Sequence, residues 1–208
     1  MHSNEGWVYS DKVKDHFKNP RNILENEDDY KEDGKGYVGN PKCGDMMMVV
    51  IKVDPKTERI TDLKWKTYGC ASAIGSTSML SEMVTRNGGM TLEEARKITP
   101  QDIMAELGGL PDNKIHCSVL GDKALREAIN DYYKRQNDTA KVEHRENEII
   151  CECLNVTEHD IEEEVLEGVT SFEQLQDRTK IATGCGKCKE KAIATFEKYR
   201  KKHFPHHF

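Results

Sequence analysis

Seven cysteines, Cys43, Cys70, Cys117, Cys151, Cys153, Cys185 and Cys188, set the hardest condition on this chain of 208 residues. Thiols in such number serve disulfides, redox work or metals. The start Met1-His2-Ser3-Asn4-Glu5 is polar and has no signal-peptide pattern, and no apolar run approaches the length of a membrane span. The expectation is a reducing, cytoplasmic setting in which an odd number of thiols does metal or redox chemistry. A formal charge of -6 without a basic stripe before the last helix argues against a nucleic-acid partner.

The cysteines fall into two sets. The first lies in Gly39-Asn40-Pro41-Lys42-Cys43-Gly44-Asp45, Tyr68-Gly69-Cys70-Ala71-Ser72 and Lys114-Ile115-His116-Cys117-Ser118. Its three thiols, with Asp45 and His116, suit a thiophilic metal, iron or zinc. The 26 and 46 residues that intervene between the thiols are wider gaps than the short-range ligand pairs of structural zinc sites. Asp45 is a hard ligand and a weaker partner than a thiolate for sulfide-bridged iron, which fits a site that builds something and releases it. A lone histidine is more often structural, but beside Cys117 in a loop His116 counts as a ligand or proton donor.

The second set is Cys151-x-Cys153, 31 residues, then Cys185-x-x-Cys188. A zinc knuckle is one reading, though its usual form pairs two Cys-x-x-Cys units closer together. A redox dithiol at Cys185 and Cys188 is another, and it leaves Cys151 and Cys153 unexplained. Four thiolates with glycines beside them also suit a [2Fe-2S] cluster, because backbone amides can approach the sulfurs.

Pattern places these residues on elements. Ser10 caps a helix through about Lys18, ended by Asn19-Pro20. Short strands near Tyr37-Val38, at Met46–Val53 and at Ile60–Tyr68 form a three-stranded antiparallel meander, with Cys43 in its first connection and Cys70 just past its end. Helices follow from about Ala73, after the capping pattern at Thr91, at Thr99-Pro100, and over Leu120–Tyr132. The predicted fold is α+β over residues 1–136, with helices packed on one face of the sheet. Residues 137–148 read as a polar linker. Residues 149–202 read as a small all-α metal-binding unit, with helix caps at Thr157 and, through Thr170 with Glu173, before a second short helix. Residues 203–208 read as a tail without a fold of its own.

Residues 8 to about 136 resemble the IscU/NifU family of iron–sulfur cluster scaffold proteins. The matching motifs are Tyr9-Ser10, His16-Phe17-x-Asn19-Pro20-Arg21-Asn22, Gly39-Asn40-Pro41-x-Cys43-Gly44-Asp45, Tyr68-Gly69-Cys70-Ala71-x-Ala73-Ile74 and Lys114-x-His116-Cys117-Ser118. Residues 149 to about 198 resemble the [2Fe-2S] domain of the bacterioferritin-associated ferredoxin type, the middle module of NifU. The expectation is a NifU-like chain without the third NifU domain.

The resemblance implies a scaffold that is not itself an enzyme. A NifS/IscS-type cysteine desulfurase would deliver sulfur as a persulfide, with Cys117 as acceptor. Fe2+ would enter among Cys43, Asp45, Cys70, His116 and Cys117, a set that would also take Zn2+. The transient [2Fe-2S] or [4Fe-4S] cluster would pass to apo iron–sulfur proteins. A permanent [2Fe-2S] cluster on Cys151, Cys153, Cys185 and Cys188, an electron donor and a homodimer complete the implied picture. Two rivals stand beside it: a [2Fe-2S] electron-transfer protein whose first domain only docks partners, and a zinc-binding regulator of a desulfurase.

Overall fold

The computed structural model of the protein describes residues 9–40, 45–109, 116–143 and 148–204. The chain divides into two compact units, residues 1–143 and 144–208.

In the first unit the expected meander forms. Strands β1 (Gly34–Asn40), β2 (Asp45–Asp54) and β3 (Arg59–Thr67) pair antiparallel in chain order. Met47, Val49 and Ile51 of the central strand are fully buried on one face with Leu63 and Trp65. In an unbroken strand Ile60 would fall out of phase with Leu63. The register slips between Lys52 and Val53, so Thr61 has no cross-strand partner and Ile60 is buried as well.

Helices α2 (Ala71–Thr85) and α5 (His116–Arg135) share the core with that face. The Gly-Lys-Gly start of β1 answers to α5, which lies directly on it. A Cβ at Gly36 would run into the Ala124 carbonyl, and one at Gly34 into the Ala128 carbonyl. On the opposite face Leu24 and Tyr30 close over Met48 and Val50. Helices α3 (Leu92–Arg96) and α4 (Pro100–Leu107) begin at the predicted caps, with capping boxes from Thr91 to Glu94 and from Thr99 to Asp102.

Helix α1 (Asp11–Lys18), capped by Ser10, buries Val13 in the core it shares with α2, and hydrogen bonds from α1 and its flanks add to that hold. Tyr9 Oη meets Ser72 Oγ at 3.1 Å, His16 Nδ1 meets Ser78 Oγ at 2.8 Å, and Asn22 Nδ2 donates to Ser81 Oγ at 3.1 Å. These bonds explain why α2 can bury Ser72, Ser78 and Ser81. Burial, helped by the Arg21 cation, lowers the His16 pKa.

The stretch expected as a linker differs in its first half. Thr139–Lys141 forms a 3-10 turn, Val142 joins the first unit's core, and Asn130 exchanges hydrogen bonds with the Glu143 backbone at 3.0 and 3.2 Å. A single apolar residue among polar neighbours sets no period, so the docking is invisible to pattern. Residues 144–147 lie outside the described residues.

The second unit is helical, with a two-stranded ribbon that the all-α expectation lacked: β4 (Ile149–Cys151) against β5 (Val156–Thr157). Helices α6 (Glu158–Leu166), α7 (Phe172–Thr179) and α8 (Lys189–His203) follow. Thr157 and Asp160 form the predicted capping box. The α7 cap is Ser171, bonded by the Gln174 N–H, one residue after the expected Thr170. Both Thr170–Glu173 and Ser171–Gln174 satisfy the capping spacing, so spacing alone could not choose. Helix α8 also runs into the predicted tail: His203 is buried and its Nε2 lies 2.9 Å from Glu162 Oε1. Among the described residues no helix is long and apolar enough to cross a membrane.

Candidate metal centres

The backbone brings Asp45, Cys70 and the His116–Cys117 segment of the first set to one end of the first unit. Strand β1 ends at Asn40, and its cross-strand partner Asp45 begins β2. The connection with Cys43 lies outside the described residues. Gly34 lies against Ala128 and Tyr132, and Gly36 against Ala124 and Ala128, so α5 runs antiparallel to β1. Two strand residues and four helix residues each advance about 6 Å. The start of α5, with His116 and Cys117, therefore comes level with Asn40.

Cys70 arrives at the same end. Beyond β3 the Tyr68 N–H donates to the Met46 carbonyl at 3.2 Å, and Cys70 then caps α2, its carbonyl accepting from the Ile74 N–H at 3.0 Å. Gly121 of α5 meets Thr77 of α2, five and seven residues past His116 and Cys70 respectively, so both helices start at this end. Cys70 is half-buried, and no side-chain capping bond engages it. Cys70 caps α2 and the Cys117 backbone lies in the first turn of α5, so both residues sit at helix N-termini. No motif singled out Thr67, whose hydroxyl bonds backbone groups on either side of this end. A hydroxyl at the last strand residue before a cysteine turn is the only signal it offers.

In the second unit all four candidate thiols meet. Cys151 ends β4 and is 2% exposed, while Cys153 follows in the exposed turn to β5. Cys185 lies in the loop before α8, and Cys188 is the N-cap of that helix. Cys153 Sγ donates to Cys185 Sγ at 3.2 Å, and Cys151 and Cys188 are hydrogen-bonded side chain to side chain. Among the described residues no three His, Cys, Asp or Glu side chains gather as the shell of a single metal ion.

Backbone N–H groups surround the sulfurs. Burial pushes the Cys151 thiol up, but bonds from the Ala182 N–H, from Cys188 and from the Leu154 and Cys153 N–H groups outweigh it and the pKa is lowered. The Lys187 N–H, then Cys153, lowers Cys185. Burial and the bond to Cys151 raise Cys188, and the bond to Cys185 raises Cys153. Ala182, at φ 59, holds the left-handed conformation that residues with a Cβ avoid. Four soft donors ringed by amides are a set that an iron–sulfur cluster takes, since amide bonds to sulfur offset thiolate charge.

Comparison with known proteins agrees with this division. Residues 8–139 match the model of the NifU-like N terminal domain, and residues 149–198 that of the BFD-like [2Fe-2S] binding domain. The chain is 51% identical over 135 residues to the iron-sulfur cluster assembly scaffold protein IscU 1 of Archaeoglobus fulgidus, covering 65% of this chain and 83% of that one. It is 40% identical over 186 residues to the nitrogen fixation protein NifU of a Nostoc species, covering 88% of this chain and 61% of that protein. The crystal structure of the N-terminal part of a NifU-like protein from Brucella abortus matches with a TM-score of 0.44 and 18% identity, over 61% of this chain and 94% of that one.

Proposed function

The chain belongs to the NifU-like N-terminal domain family, and from that membership we propose that it is a scaffold on which an iron–sulfur cluster is built and from which it is passed on. The observation that carries the proposal is the arrival of the Asp45, Cys70 and His116–Cys117 segments at one end of the first unit. Cys43, Asp45, Cys70, His116 and Cys117 are the proposed ligands of the cargo cluster. A cysteine desulfurase delivers sulfur to Cys117 as a persulfide, and Fe2+ enters among the ligands. Reducing that persulfide sulfur to sulfide takes two electrons, so the reading needs an electron donor. Asp45, the hard member of the set, eases release to apo iron–sulfur proteins. The desulfurase breaks the carbon–sulfur bond of cysteine, the donor's two electrons cleave the Cys117 persulfide to thiolate and sulfide, and this chain acts as acceptor and carrier. The proposed setting is the cytoplasm, and the proposed assembly is a homodimer.

Cys151, Cys153, Cys185 and Cys188 are the proposed ligands of a resident [2Fe-2S] cluster, whose chemistry when bound is one-electron transfer. The chain's part is to shield Cys151 from water and to aim N–H groups at the sulfurs.

The test is anaerobic assembly with a desulfurase, free cysteine, Fe2+ and a reductant, followed by transfer to an apo-ferredoxin. The parent should gain visible absorbance beyond that of the isolated protein and lose the gain to the acceptor. Cys70→Ala should keep the resident spectrum and lose the transferable part. Equal transfer by a Cys43→Ala/Cys70→Ala/Cys117→Ala variant would overturn the proposal and leave an electron carrier.

A further inference from the structure

We propose that Thr67 is a positioning residue for the first-unit metal site, holding the Asp45 and Cys70 segments together before any metal arrives. Its Oγ1 donates to the Met46 carbonyl at 2.6 Å and accepts from the Gly69 N–H at 3.0 Å. One bond lands on the residue after Asp45 and the other on the residue before Cys70. The Tyr68 N–H reaches the same Met46 carbonyl at 3.2 Å. A metal bound between separate segments must otherwise fix them at the moment of binding, at an entropic cost. A hydroxyl that both donates and accepts removes part of that cost beforehand. Valine has nearly the same shape and makes neither bond, while serine makes both.

This inference rests on the reading of Asp45 and Cys70 as ligands. If it holds, Thr67 belongs to the partners that orient ligands without touching the metal, whose loss typically weakens metal binding by about 10–100-fold. The Met46 carbonyl keeps the Tyr68 bond in Thr67→Val and the half-buried Gly69 N–H can turn to water, so folding should be affected little. Thr61 provides a matched control at the far end of the same strand, where its Oγ1 donates to the Lys52 carbonyl at 3.2 Å.

The experiment is an anaerobic Co2+ titration of the full chain, because cobalt's thiolate charge-transfer and d–d bands report the number and geometry of its ligands. The Co2+ bound by the parent and lost in Cys70→Ala defines the first-unit site. Thr67→Val should bind that Co2+ at least about tenfold more weakly, with altered d–d bands, and Thr67→Ser should stay within about twofold of the parent. Thr61→Val should leave the titration unchanged. The inference fails if Cys70→Ala loses the site while Thr67→Val stays within about twofold of the parent. It fails equally if Thr61→Val weakens binding as much. If Cys70→Ala takes up Co2+ as the parent does, the ligand reading falls and the role of Thr67 falls with it.

Discussion

Replacing Gly36 by alanine tests whether the seat of α5 on β1 fixes the end at which the candidate ligands gather. The new Cβ would meet the Ala124 carbonyl oxygen and carbon and the Ala128 nitrogen, all backbone atoms, so no side chain can swing aside. Helix α5 must move off the strand. Overpacking of this kind costs about 1–3 kcal/mol, and relieving the entropy cost of a strand glycine returns about 0.5–1 kcal/mol. Gly36→Ala should therefore destabilise the first unit by up to roughly 2.5 kcal/mol. Gly75→Ala is the control, because its Cβ would lie 3.6 Å from Val13 Cγ1 and the Val13 carbonyl oxygen, an ordinary contact inside α2. That variant should be stabilised by about 0.5–1 kcal/mol. The unfolded-state effect is the same in both, so the opposite signs come from the native fold. Urea unfolding followed by tryptophan fluorescence measures it, since Trp65 is buried in the first unit's core and residues 144–208 hold no tryptophan. The moved helix carries His116 and Cys117 at its start, so Co2+ affinity at this end should fall as well. A Gly36→Ala protein as stable as Gly75→Ala would refute the packing argument.

Asp45→Ala should lengthen the life of the transferable cluster by removing the hard ligand; transfer to an apo-ferredoxin as fast as from the parent would sink that idea. Chelation should leave about two irons per chain in the parent, and Ser in place of any of Cys151, Cys153, Cys185 or Cys188 should release them, as visible absorbance and iron content would show. Burial raises the Glu162 carboxyl, but the bonds from His203 and Lys202 outweigh it and take its pKa from 4.5 to about 2. This depressed value contributes stability that is fully present above pH 4.5 and lost as pH falls through about 2. The shift is worth roughly 3 kcal/mol, and Glu162→Gln should remove that pH dependence from hydrogen exchange of α6 and α8; an unchanged profile would show that the contact acts through packing.

Much of the first unit could be read because its signals are local. The Ser10, Thr91 and Thr99 caps, the alternation of β3 and the periodicity of α5 each follow from neighbours within a turn or two. The misses are tertiary. Val142 docks onto a core assembled from distant segments, and His203 is ordered by a carboxylate 41 residues earlier. The Thr61 bulge announces itself only through the wrong phase of Ile60, which pattern alone reads as noise. For the sites, the identities of the thiols were plain, because cysteine spacing is a chemical signature. Their surroundings were not. Nothing in Lys180-Ile181-Ala182-Thr183 says that an alanine will turn left-handed, and nothing in Lys66-Thr67 says that its hydroxyl will bridge two segments.

Ala182 bears on the contrast between the two sites. A left-handed alanine costs about 1 kcal/mol relative to an ordinary backbone, and such strain persists only where surrounding bonds hold it. Here its N–H is bonded to the sulfurs of both Cys151 and Cys188, the inner pair of the four. Gathering four thiolates concentrates negative charge, and an N–H aimed at two of them relieves that charge without adding a competing ligand. The second unit thus fixes its donors in a small closed set, one of them buried, as a resident cluster requires. In the first unit the candidate donors sit on separate segments, brought to one end by a strand pairing, a helix seat and one threonine hydroxyl. Donors carried on separate segments depend on such tertiary bonds, so the hold on a cluster can be tuned through the Thr67 hydroxyl without touching a ligand.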